Sequence, residues 1–173
     1  MSKDNGRDRD DDVVTEPFPS TAKVMEEWLR VADGNPPEHM DEFFRFMSLW
    51  VAFNAYYTTQ YTRGRNEWSQ IKAFAEDQRT IDRHALAMKA DARYHAAVRA
   101  IAERGVRSGS DDAHHAVGQE RSVLSVVDCI YTIRSNLVHG DKVPTNDRDV
   151  RLVSAAHTII TILLGAHPRN DAD

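Results

Sequence analysis

The chain is 173 residues long, carries 22 Lys and Arg against 27 Asp and Glu for a net charge of −5, and is 41% hydrophobic. That length fits one domain with a single core, and the overall charge gives no attraction to nucleic acid. The lone Cys129 lies in an apolar run, so a disulfide framework is excluded and packing in a reducing compartment is expected.

No apolar stretch approaches the roughly 20 residues of a membrane span, and the acidic start is wrong for a signal peptide. A cytoplasmic protein without membrane contact is expected. Residues 1–19 hold three basic against six acidic residues and read as a disordered acidic tail. The body is expected over 20–164, and residues 165–173 read as a flexible C-terminal tail.

In chain order, Ser20 or Thr21 caps a first helix with a stripe of Val24, Met25, Trp28, Leu29 and Ala32, ended by Gly34. Pro36 and Pro37 open the longest helix, with Phe43, Phe44, Met47, Trp50, Val51, Asn54 and Tyr57 along one broad face. Asn54 on that face is expected to need a hydrogen-bond partner, because a buried amide is costly without one. Residues 66–75 and 80–104 read as weaker helices broken near Asp77. Between Arg63 and Arg107 ten basic residues face six acidic ones, which makes either a solvated helix surface or a patch for a polyanion.

From Gly105 to Gly118 the chain is polar and rich in Gly and Ser, and reads as a long exposed loop. Asp111, Asp112, His114 and His115 within it lack a second ligand set, so no metal site is expected. Then Val123, Val126, Val127, Ile130, Ile133 and Leu137 recur at spacings of three and four, one apolar helical face, with Gly140 as the stop. Arg134 and His139 lie at the end of this helix, with Ser135 and Asn136 between them. Asn146 and Asp147 are cap candidates for a last helix with Val150, Val153, His157, Ile160 and Leu164 on one face. His157 reads there as a packing histidine.

A permanently charged arginine beside a histidine that can titrate suits phosphate chemistry. The spacing alone decides nothing, since Arg79 and His84 repeat it. That copy sits in a charged segment without a leading apolar face or a Gly stop, and reads as a solvated helix start.

Two segments in order, within an all-helical chain, resemble the HEPN superfamily of small helical domains. One is Phe43 to Tyr57, with the pattern Trp50-x-x-Phe53-Asn54-x-x-Tyr57. The other is Ile133-Arg-Ser-Asn-Leu-Val-His-Gly140, which is similar to the family's Arg-x4-His signature and following glycine. The resemblance implies an all-α, up-and-down bundle of four to five main helices, usually a homodimer, whose arginines and histidines share a cleft. It further implies a metal-independent endoribonuclease without a cofactor, of the toxin or antiviral kind found in prokaryotes. Family members often carry Asn, Asp or His directly after the arginine; here that position is Ser135, and the amide is Asn136.

RNA supplies its own nucleophile, the 2′-hydroxyl. His139 is therefore expected to transfer protons and Arg134 to hold the phosphate oxygens, with Asn136 and Ser135 orienting or binding the substrate. Asn136 has a plainer reading, an amide bonding its own backbone. A nucleotidyltransferase antitoxin is the partner such a toxin would have, and Tyr131 is then the candidate residue for modification. The alternative is a non-catalytic HEPN module that binds a nucleotide, RNA or a nucleotidyltransferase partner; a third reading is a purely structural bundle. Inactive members often lose the Arg or the His, whereas this chain keeps both.

Overall fold

A computed structural model describes residues 21–61, 66–103, 105–108, 114–118, 121–140 and 142–165. Among these the chain is an all-α bundle: α1 (Thr21–Ala32), α2 (Met40–Gln60), α3 (Glu67–Glu76), α4 (Gln78–Ala90), α5 (Ala92–Ala102), α6 (Val123–Val138) and α7 (Asp147–Leu164). One two-stranded ladder, β1 (Val106–Arg107) with β2 (His114–His115), interrupts the helices. No described helix is long and apolar enough to cross a membrane. The expected tails, Gly165 aside, lie outside the described residues, as do Asp111 and Asp112.

The core is built around α7, which packs against both α2 and α5. Leu152, Val153, Ala156, Ile159, Ile160 and Leu163 of α7 are buried, and α2 presents Phe43, Phe46, Trp50, Phe53 and Tyr57. The rings interlock edge to face, with Phe53 at 4.8 Å from Phe74 and 4.9 Å from Tyr57 between centroids. Such contacts add to the area-driven stabilisation of the rings.

The buried face of α2 is narrower than its apolar pattern. Phe44 and Val51 are exposed, and Asn54 is exposed as well, so no buried amide has to be satisfied there. A long helix with apolar residues on more than half its circumference cannot bury all of them against one layer. On α1 likewise, Met25, Leu29 and Ala32 face outward, and the inward face is Glu27, Trp28 and Val31. Glu27 is drawn in because the Thr145 hydroxyl donates to its Oε1.

Aspartates divide the middle of the chain. Asp77 caps α4 by accepting from Arg79 N, as the break near Asp77 required. The expected single helix over 80–104 is split at Asp91, whose side chain accepts from Arg93 N at 2.9 Å and Tyr94 N at 3.2 Å. A carboxylate satisfying two free N–H groups starts a new helix within an otherwise helix-favouring run.

The expected exposed loop after α5 is not a plain loop. Val106 pairs with His115 and Arg107 with His114 in an antiparallel register, and Gly105, Val106, Ser108 and Val117 are buried. Gly105 is required here: it has φ +58°, and a Cβ would collide with the His114 ring and lie 2.9 Å from the His115 carbonyl. This small ladder lies against α6.

Candidate functional site

The apolar face read for α6 is the buried one: Val123, Val126, Val127, Ile130, Ile133 and Leu137 are all in the core. Ser122 caps its start by accepting from Ser125 N. At its end His139 is the C-cap residue, its N–H reaching the Ser135 carbonyl at 3.0 Å, and Gly140 takes φ +80°. That left-handed turn is what glycine permits after a helix. It leaves the His139 side chain exposed, without a partner among the described residues.

Arg134 points elsewhere. Five helical residues separate it from His139 by about 7.5 Å along the axis and about 140° around it. Its guanidinium carbon lies 5.5 Å from the centre of the Trp50 ring, a cation–π seat provided by α2. Its Nη1 is 3.5 Å from Glu67 Oε2, an ion pair with side chains 24% and 31% exposed. Arg134 Nε and Trp50 Nε1 are both buried without an acceptor among the described residues. Two donors are thus left unmet beside a guanidinium that has one distant counter-charge.

Glu67 is the residue that sequence reasoning missed. It occupies the first turn of α3, which Asn66 caps by accepting from Ser69 N at 2.8 Å. The buried Tyr57 hydroxyl donates to Glu67 Oε1 at 2.7 Å, and Tyr131 Oη stands 3.5 Å from Oε2. Burial first, then the bond to Glu67, pushes the Tyr57 phenol well above its ordinary range. Tyr131 is raised by burial and then by the Glu67 charge. Trp68, at 5.5 Å from the Tyr131 ring, closes the aromatic surround. No sequence signal links Glu67 to Arg134, because the two are 67 residues apart and on different helices.

Asn136 does not reach the motif surface. It is buried, and its Nδ2 donates to the Arg107 carbonyl at 2.6 Å, pinning β1 to α6. It therefore ties α6 to the ladder. Ser135 is half-exposed, and its carbonyl accepts from His139 N. On the same line of α6 as Ser135 and His139, within about 20° of both, is Asp128. Its carboxylate meets His115 Nδ1 at 2.7 Å, a second tie between α6 and the ladder.

The other titratable candidates have structural surroundings. Of the second Arg-x4-His copy, Arg79 is exposed and forks onto Asp77, whose carboxyl it holds well below the usual range. His84 is not solvated as expected: Nδ1 is 2.7 Å from Tyr94 Oη and Nε2 2.8 Å from the Arg121 carbonyl. That arrangement suits a neutral ring, with Nε2–H donating and Nδ1 accepting, and burial lowers its pKa. His157 is half-buried in an open cleft with Asp41, Phe44, Arg45 and Ser48, lowered by burial and then by Arg45. Cys129 is fully buried, and burial pushes its thiol up to about 12, which suits packing and not nucleophilic attack.

Four of the basic residues described between Arg63 and Arg107 are paired with carboxylates. Lys72, Arg79, Arg93 and Arg99 pair with Glu76, Asp77, Asp91 and Glu103 respectively. These contacts favour the solvated-surface reading; Arg63, Arg65 and Arg104 lie outside the described residues.

No protein-family profile, curated protein or solved structure matches the chain.

Proposed function

We propose that this chain is a HEPN-type endoribonuclease, a toxin or antiviral effector, that cleaves RNA by attack of the 2′-hydroxyl without a metal. One observation carries the reading: the last turns of α6 hold a partly exposed, under-coordinated Arg134 on Trp50 and leave His139 free at a cap ended by Gly140. A partly exposed guanidinium can take phosphate oxygens and offset the charge that develops on phosphorus. An exposed imidazole can move a proton to or from the sugar hydroxyl or the leaving oxygen.

The angle between the two side chains supports a homodimeric site, in which the arginine of one subunit and the histidine of the other complete a cleft. Val138, exposed between them, gives such an interface an apolar contact. Light scattering should return twice the chain mass; a monomer at working concentration removes this feature.

Asn136 enters this scheme by fixing the ladder, and Ser135 by its half-exposed hydroxyl. The proposal is tested by RNA cleavage in excess EDTA, with Arg134→Ala and His139→Ala alongside the parent protein. Cleavage abolished in both folded variants is expected.

The second reading is a non-catalytic HEPN module for a nucleotide, RNA or a nucleotidyltransferase. The Arg134–Glu67 pair favours it, because a paired arginine also serves as a structural tie. A nucleotidyltransferase antitoxin acting on Tyr131 fits either reading, although the hydroxyl must first leave Glu67. Intact mass after co-expression reads this out: an added nucleotide on Tyr131 is expected, and an unchanged mass removes the idea.

A further inference from the structure

We infer that Glu67 competes with an incoming anion for Arg134, and that it sets the affinity of this site for an RNA phosphodiester. The inference rests on the proposal that Arg134 engages RNA phosphate.

Glu67 is held in place by groups other than Arg134. Asn66 caps the helix that carries it, and the Tyr57 hydroxyl, from the core face of α2, fixes Oε1 at 2.7 Å. The second oxygen, Oε2, is thereby presented to Arg134 Nη1 at 3.5 Å. That distance is an electrostatic contact and a poor hydrogen bond, well short of the bidentate fork an arginine makes with a carboxylate free to approach it.

The guanidinium is consequently neutralised without being saturated. Its Nε and the neighbouring Trp50 Nε1 have no acceptor among the described residues, while the charge is already balanced by Glu67. A phosphodiester meets the exposed part of Arg134, whose side chain is 24% exposed, and it must do so next to a carboxylate of its own sign. Removing that carboxylate without removing the hydrogen bond to Tyr57 should strengthen phosphate binding. For a partly exposed pair the change is about fivefold to tenfold.

Glu67→Gln is the direct variant, since an amide oxygen still accepts from Tyr57. The probe is a fluorescent 2′-O-methyl oligoribonucleotide, which lacks the attacking hydroxyl and cannot be cleaved by this route. Anisotropy at low salt should show Glu67→Gln binding it about fivefold to tenfold more tightly than the parent protein. The gain should vanish in Glu67→Gln/Arg134→Ala. Circular dichroism checks the fold, and Glu67→Ala, expected to shift in the same direction, replaces the glutamine variant should that one not fold.

Equal or weaker binding by the Glu67 variants overturns the inference. So does a gain that persists without Arg134, or an oligonucleotide that neither the parent nor the Glu67 variants bind. Tighter binding in a protein that never cuts RNA keeps this inference and removes the nuclease. Cleavage dependent on Arg134 with unchanged binding in Glu67→Gln does the reverse.

Discussion

Lys142 and Asp149 bond at 2.8 Å with side chains only 4% and 5% exposed, and Asp149 also accepts from Val143 N at 3.2 Å. The pair ties the segment after the motif helix to the first turn of α7. Truncating one partner strands a buried charge, which costs about 3–5 kcal/mol. Asp149→Ala should therefore lower the urea midpoint by a large fraction of the protein's total stability, and a loss below about 1 kcal/mol would show the pair to be solvated. His84 makes a prediction of the opposite kind. Burial depresses its folded-state pKa, so the unfolded chain takes up the proton first as pH falls. Stability should decline as pH drops through the ordinary imidazole value of about 6.5. His157, lowered by burial and Arg45, contributes with the same sign. Urea midpoints at about pH 7.5 and about pH 5.5, either side of that value, should differ less in His84→Gln than in the parent. An unchanged difference would mean that His84 does not carry the effect. At this scale Arg134 and His139 were legible because both sit at the end of a periodic apolar face. Glu67 was not, since its meeting with Arg134 depends on how α3 docks against α6.

Among elements, α6 followed from the sequence closely in its continuous apolar stripe and its stop at Gly140, whereas its Ser122 cap went unread. Gly140→Ala tests the stop. A side chain at φ +80° costs about 1 kcal/mol, and the new Cβ would lie 3.4 Å from Val24 Cγ1. A small but measurable fall in thermal midpoint is expected; no change would mean that the turn tolerates the side chain. Elements were harder to read where one side chain outweighed local propensity. Asp91 stands in a run of good helix formers, yet its two bonds to free N–H groups divide α4 from α5. The β1–β2 ladder was hidden for a different reason. It has two residues per strand, and what holds it is non-local: Asn136 on the Arg107 carbonyl and Asp128 on His115. A two-residue strand has no periodicity to detect.

For the molecule as a whole, a lean composition still encloses one contiguous core, with α7 against α2 and α5 and the motif helix α6 resting on α3 and the ladder. The all-α bundle was readable because α1, α2, α6 and α7 carry apolar stripes, whereas the buried side of α1 and α2 was not. On α1 and α2 more residues are apolar than one layer can cover, and Met25, Leu29, Phe44 and Val51 stay outside. The fold thus supplies what the proposed chemistry needs: an α6 anchored in the core, a guanidinium seated on Trp50 and an exposed imidazole at the cap. The most direct test of the account is cleavage of single-stranded and structured RNA by the purified protein in excess EDTA, with the ends of the products identified. Products ending in 2′,3′-cyclic phosphate, formed by the parent and lost in folded Arg134→Ala and His139→Ala, are predicted. Cleavage unaffected by either substitution, or no cleavage by a well-folded protein on any RNA offered, would contradict the account.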